Sequence, residues 1–138
     1  MKKLCLILLM HLFLYAYPQV EICNLNQIYT TTDTLYPFRY SDYCSAVYVD
    51  GSCKVLSEDG FVRIILIDNN EEEWLIYERN NLFSTEICDK FTNASFETFM
   101  MDNVVPTSVI IESKQAIVKL DNFKINKAVL RYRHTERR

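Results

Sequence analysis

The residues of this chain that could do chemistry are few, and their spacing argues against most of it. Beyond residue 18 there is a single histidine, His134, in a basic C-terminal stretch. A Cys–His or Ser–His pair needs its base held in fixed geometry, which a chain terminus does poorly. Glu71, Glu72 and Glu73 are consecutive, with Asp68 close by. A carboxylate pair for glycoside hydrolysis must flank a cleft, whereas three adjacent glutamates in a polar turn form a solvated face. Asp68-Asn69-Asn70-Glu71 offers oxygens but lacks the alternation and central glycine of a calcium loop. No CxxC pair and no histidine spacing suits zinc. There is no glycine-rich phosphate loop and no nucleophile elbow. These residues predict a protein that is not an enzyme and takes no metal and no cofactor.

The first residues, MKKLCLILLMHLFLYA, place Lys2 and Lys3 before an apolar run and end on the small Ala16. That is the layout of a secretory signal peptide, and the run is shorter than the ~20 residues of a membrane span. The expected organisation is a cleaved signal at 1–18, one domain at 19–128 and a basic tail at 129–138. The protein is then secreted or periplasmic, with no stable membrane insertion after cleavage. Loss of Lys2 and Lys3 takes Lys+Arg from 15 to 13 against 18 acids, so the net charge moves from −3 to −5. This balance argues against nucleic acid or another polyanion as partner of the body. Cys23, Cys44, Cys53 and Cys88 remain after cleavage. An even count in an exported chain predicts two disulfides, with three possible pairings. Asp50-Gly51, a strong hairpin signal, lies between Cys44 and Cys53. A turn there favours Cys44–Cys53 and leaves Cys23–Cys88.

Aromatic residues are the stronger lead to a binding surface. Tyr36, Phe38, Tyr40 and Tyr43 cluster in sequence, and Trp74 and Tyr77 can face them from the next hairpin. Tyr and Trp combine contact area with a polar handle and are enriched at interfaces. The alternative is that these rings close one end of the core.

The elements that must carry these residues read as strands. Phe61–Asp68 (FVRIILID) and Trp74–Tyr77 (WLIY) flank a polar turn, which predicts a central β-hairpin. The unbroken Ile64–Ile67 run fits a strand covered on both faces, with Ile65 in its middle. Gln27–Thr32, Val47–Val49, Val55–Leu56, Phe91–Met101, Ser108–Glu112, Ala116–Leu120, Phe123–Ile125 and Ala128–Tyr132 are further short strand segments. Pro37 and Pro106 interrupt them, Glu58-Asp59-Gly60 is a turn, and Leu82-Phe83 is a short apolar patch. With two glycines in the chain, left-handed turn positions fall to Asn and Asp. The sequon Asn93-Ala94-Ser95 is also present. The pattern predicts an all-β fold, an antiparallel β-sandwich of jelly-roll-like form.

DGFVRIILIDNNEEEWLIYE and VVPTSVIIESKQAIVKLDNFKI resemble small β-sandwich domains secreted by bacteria. They are similar to pro-domain-like modules of secreted peptidases, over roughly residues 55–126. The closing AIVKLDNFKI also resembles the last strands of jelly-roll carbohydrate-binding modules. The resemblance implies export and a sandwich fold, and carries over no functional residue. The expected function is a secreted, non-enzymatic protein-binding module, a pro-domain-like or inhibitor-like partner of a secreted peptidase, with Thr34–Tyr43 as the occluding loop. A glycan-binding sandwich using surface aromatics is the alternative.

Overall fold

Strand-forming Ile and Val residues separated by short polar turns give eight strands in the computed structural model, which describes residues 20–38, 43–97 and 104–127, of which 95–97 by backbone alone. The expected signal segment 1–18, Tyr40, the end of the Phe91–Met101 segment, Ala128–Tyr132 and the expected tail with His134 lie outside the described residues. The strands are β1 (Val20–Tyr29), β2 (Asp33–Leu35), β3 (Cys44–Val55), β4 (Phe61–Asp68), β5 (Glu73–Asn80), β6 (Ile87–Glu97), β7 (Pro106–Lys114) and β8 (Ala116–Lys127).

They form two four-stranded antiparallel sheets, β1-β8-β3-β6 (sheet A) and β2-β7-β4-β5 (sheet B). Successive strands alternate between sheets except at the β4–β5 hairpin of sheet B, and within sheet A β1 pairs with β8 and β3 with β6. The outermost strands of the sequence therefore pair with each other, and the arrangement is a jelly roll. The β1–β2, β3–β4, β5–β6 and β7–β8 connections lie at one end, here called the hairpin end after the tight turn at Gln115. The β2–β3, β4–β5 and β6–β7 connections leave from the opposite end.

Alternation along each strand sends one row inward. Val47, Val49 and Val55 from β3 and Val118, Leu120 and Phe123 from β8 meet Val62, Ile64 and Leu66 from β4 and Val109 and Ile111 from β7. All of these are fully buried, and each such side chain contributes about 1.5–3 kcal/mol on leaving water. Ile65 is also buried but belongs to the other face of sheet B, beside Ile110 and Leu75 in register. The unbroken Ile64–Ile67 run thus covers two faces. On that outer face Arg63 donates from Nη1 to Glu112 at 2.9 Å, pinning β4 to β7.

Several expected boundaries move. Asp50-Gly51 is no hairpin turn: Val47–Val49 and Val55 belong to one continuous strand, β3, with a bulge between Val49 and Gly51. Gly51 is required for close approach rather than for its torsion. A Cβ there would collide with the Lys119 carbonyl oxygen and lie 2.8 Å from the Phe91 ring. Pro106 opens β7 instead of interrupting the chain between strands, a position where its missing N–H is tolerated. The Thr34–Tyr43 loop begins inside the short edge strand β2. Left-handed torsions fall at Asn26, Asp59 and Asn93 as expected, and also at Glu71 and Gln115.

The cysteine pairings are overturned. Cys44 and Cys53 sit nine residues apart on one strand, about 30 Å at roughly 3.3 Å per residue. Cys23 and Cys88 lie on the two outermost strands of sheet A, level with Val49 and Lys54 of β3 respectively, so three strand spacings alone hold them at least about 14 Å apart. A disulfide requires Cα atoms within about 7 Å, and none of the four is disulfide-bonded.

Candidate functional site

The aromatic residues do not converge on one platform. Tyr36, just past β2, is 78% exposed at the end opposite the hairpin end, and Tyr43, before β3, is partly exposed there. Phe38 packs against the core from the same end. Trp74 is the second residue of β5, at that end, but its ring packs on the core and its Nε1–H donates to Asp68 Oδ2 at 3.1 Å. Tyr77, one turn of the pleat further along β5, lies between the sheets with its ring 4.3 Å from that of Phe91. Its hydroxyl donates to Asp89 at 2.8 Å and stands 3.3 Å from the Cys53 thiol. Burial pushes the Tyr77 hydroxyl well above its usual pKa, and Cys53 and Asp89 add to the rise. Burial likewise raises the Cys53 thiol. This group closes the side of the sandwich between the edge strands β5 and β6, and neither acid is poised to ionise near neutrality.

The acidic β4–β5 turn resolves into one structural carboxylate and three solvated ones. Asp68 is 2% exposed. Its Oδ1 accepts the backbone N–H groups of Asn70 (2.8 Å) and Glu72 (3.0 Å), and its Oδ2 takes the Trp74 indole. Burial raises its pKa, but the Glu72 N–H, the indole and the Asn70 N–H outweigh that and hold it below the usual value. Glu71, Glu72 and Glu73 are exposed. Among the described residues no group of His, Cys, Asp and Glu could hold a metal ion.

The feature with the geometry of a recognition element is at the hairpin end. Between β5 and β6, Leu82 and Phe83 stand 78% and 67% exposed. The loop that carries them is built on Asn81, which is buried. Its Nδ2 donates to the Thr85 carbonyl at 2.7 Å and its Oδ1 accepts the Phe83 N–H at 2.9 Å, so one side chain spans the loop. Its backbone N–H bonds the Gly60 carbonyl, and its carbonyl accepts the Asp59 N–H, tying the loop to the β3–β4 turn. That turn brings the exposed Leu56, Glu58 and Asp59 alongside. The sequence marked Leu82-Phe83 only as an apolar patch. What singles it out is the Asn before it and the Ser84-Thr85 pair after it, a turn composition that cannot hide two large apolar side chains.

No family model matches the chain, and no curated protein matches it. Solved structures with partial likeness include viral capsid chains. One, from the Gt strain of infectious bursal disease virus, is 14% identical with a TM-score of 0.40, over 80% of this chain and 33% of the capsid chain. Another, the VP2 subviral particle of the same virus, is 8% identical with a TM-score of 0.38, over 86% and 35%. The chain spans about a third of the length of these capsid chains. A likeness this slight bears on neither function nor partner.

Proposed function

We propose that the protein is an exported, non-enzymatic protein-binding module whose contact element is the Asn81-braced loop with Leu82 and Phe83 at its apex. The observation that carries this reading is the brace itself. Two large apolar side chains held in water are unfavourable unless something covers them, and a loop fixed beforehand loses little freedom on docking. Leu82 and Phe83 stand out into solvent, so a partner that covers both offers a concave apolar pocket. The substrate cleft of a secreted peptidase has that shape, which fits an inhibitor-like or pro-domain-like role. Glu58 and Asp59 beside the loop suit a partner with a basic rim. The contact element therefore differs from the Thr34–Tyr43 loop favoured by sequence. Of the aromatics placed there, Tyr36 alone projects strongly among the described ones, and one ring is a poor platform for glycan stacking.

The test is a photo-crosslinking amino acid at position 83, used in the secreted fraction of the source to identify a partner. Leu82→Ala and Phe83→Ala should each weaken the purified complex by about tenfold or more, as truncating a central anchor costs ~1–2 kcal/mol. Asn81→Ala should weaken it through the loop while both apolar residues remain. Tyr36→Ala, at the other end, should leave it unchanged. Loss of binding in Tyr36→Ala with retention in Phe83→Ala would place the contact at the wrong end and sink the proposal.

A further inference from the structure

The acidic average of the chain hides a local concentration of positive charge on the outer face of sheet A. In one row across the sheet, Ser52 of β3 pairs with Lys90 of β6 on one side and Lys119 of β8 on the other. In the next row Lys54 of β3 lies between Cys88 and Ile117. Residues two apart share a face, so three lysines surround one short side chain. Ser52 cannot fill the space between its long neighbours, and a hollow of about 340 Å³ results, lined by these six residues. Cys53 and Asp89, also at its wall, turn their side chains through to Tyr77 on the inner side.

Like charges gathered around a cavity repel one another, so the arrangement calls for a counter-charge. Glu86 meets Lys54 at 2.8 Å and Asp121 meets Lys119 at 3.0 Å, both as exposed pairs. Such pairs are weak and screened, and they stand at the rim rather than in the hollow. Lys90 makes no ion pair among the described residues. On the β1 side the Lys119 row continues to Ile28, which is exposed, and Ile117 is exposed beside it. The hollow thus has a cationic centre and an apolar margin. A concave face suits a chain molecule better than a flat lipid surface, which would touch only the rim.

We propose that this hollow binds an anionic oligosaccharide, with its sulfate or carboxylate groups between Lys54, Lys90 and Lys119 and a sugar face on Ile117 and Ile28. The site is separate from the Leu82–Phe83 loop, and either can fail without the other. Lysine supplies point charges without bidentate geometry, so recognition should tolerate variation in the anionic group while demanding the charge.

Isothermal titration of the secreted chain with a heparin-derived hexasaccharide, an unsulfated hexauronate and a neutral cellohexaose tests this. At least one acidic sugar should bind, more weakly as salt rises, and the neutral one should not. Lys90→Gln with Lys119→Gln should weaken binding by about tenfold or more, the loss expected of a charge-assisted contact. Ser52→Leu keeps every charge and fills the hollow, and should weaken binding comparably. Lys114→Gln, at the β7–β8 turn, should leave affinity unchanged, and Leu82→Ala with Phe83→Ala should too. The proposal is overturned if neither acidic sugar binds, or if Lys114→Gln costs as much as the pair in the hollow. It is equally overturned if anionic phosphatidylserine vesicles bind through Lys90 and Lys119 while both acidic sugars do not.

Discussion

Asp68 shows how much of a turn can depend on one carboxylate. Both of its oxygens are committed, to two backbone N–H groups and an indole, and its pKa is held down in the fold. A carboxyl whose folded pKa lies below its unfolded value stabilises the fold above the unfolded value, and this stabilisation is lost as pH falls through the folded one. The unfolded reference is about 3.9, so the loss belongs below that pH. Asp68→Asn should lower stability at pH 7 by about 1–3 kcal/mol, the worth of charge-assisted hydrogen bonds to a buried acceptor. The variant should also lose part of the parent's expected acid sensitivity, to be measured by urea unfolding from pH 5 down to pH 2. Asp50, depressed mainly by the Asn93 N–H and also by Lys124, keeps a residual slope of the same sign. Equal stability of variant and parent at pH 7, with identical acid profiles, would show that the charge does not hold the turn. Trp74 belongs to the same argument: the residue type is that of a binding surface, but its N–H is committed to Asp68.

Among the elements, β3 departs most from its sequence appearance. Asp50-Gly51 has the composition of a tight turn, yet twelve residues run through it as one strand paired on both sides. Lys124 approaches Asp50 at 3.4 Å and the Asn93 N–H bonds it at 2.7 Å, so the aspartate is satisfied across strands rather than within a turn. Gly51 lets the Lys119 carbonyl and the Phe91 ring come close. Gly51→Ala should therefore destabilise by roughly 1–3 kcal/mol or more, the cost of overpacking where the obstructing atom is backbone. Ser52→Ala, one residue on and facing outward, should stay within about 0.5 kcal/mol. Thermal unfolding of the two variants separates the cases, and a Gly51→Ala protein as stable as its parent would mean that β3 is not packed this way. The β4–β5 hairpin, in contrast, was legible from FVRIILID-NNEEE-WLIY. Its partners are neighbours in sequence and its turn chemistry is local.

For the molecule as a whole, strand order governs the thiols. All four cysteines lie in sheet A, yet Cys44 and Cys53 are nine residues apart along β3, and Cys23 and Cys88 sit on the two outermost strands. Burial pushes Cys44 to about 11 and also raises Cys53, whereas Cys88 is exposed. Thiolate is the reactive form, so the fold makes reactivity unequal. In protein spanning residues 19–138, alkylation after denaturation without reductant should add four groups. In the native protein Cys88 should react first with a disulfide reagent, and Cys88→Ser should remove the fast phase. Cys44 and Cys53 should wait for local or global opening. A mass gain of four hydrogens on reduction would instead require two bridges and another arrangement of strands.

What the sequence determined by itself is the set of local decisions. It specified the all-β class, the strand at Phe61–Asp68 and its hairpin partner, the turn at Glu58-Asp59-Gly60 and the use of Asn and Asp at left-handed positions. Each follows from the torsional and burial preferences of a few adjacent residues. The tertiary structure decided whatever depends on register between distant segments. It turned Asp50-Gly51 into a bulge, set Cys44 far from Cys53, committed Trp74 and Tyr77 to packing and left Leu82 and Phe83 in water. It also placed Ser52 between Lys90 and Lys119. A shift of one residue in a strand exchanges its two faces, and no pattern within a single strand records which partner, dozens of residues away, will lie beside it.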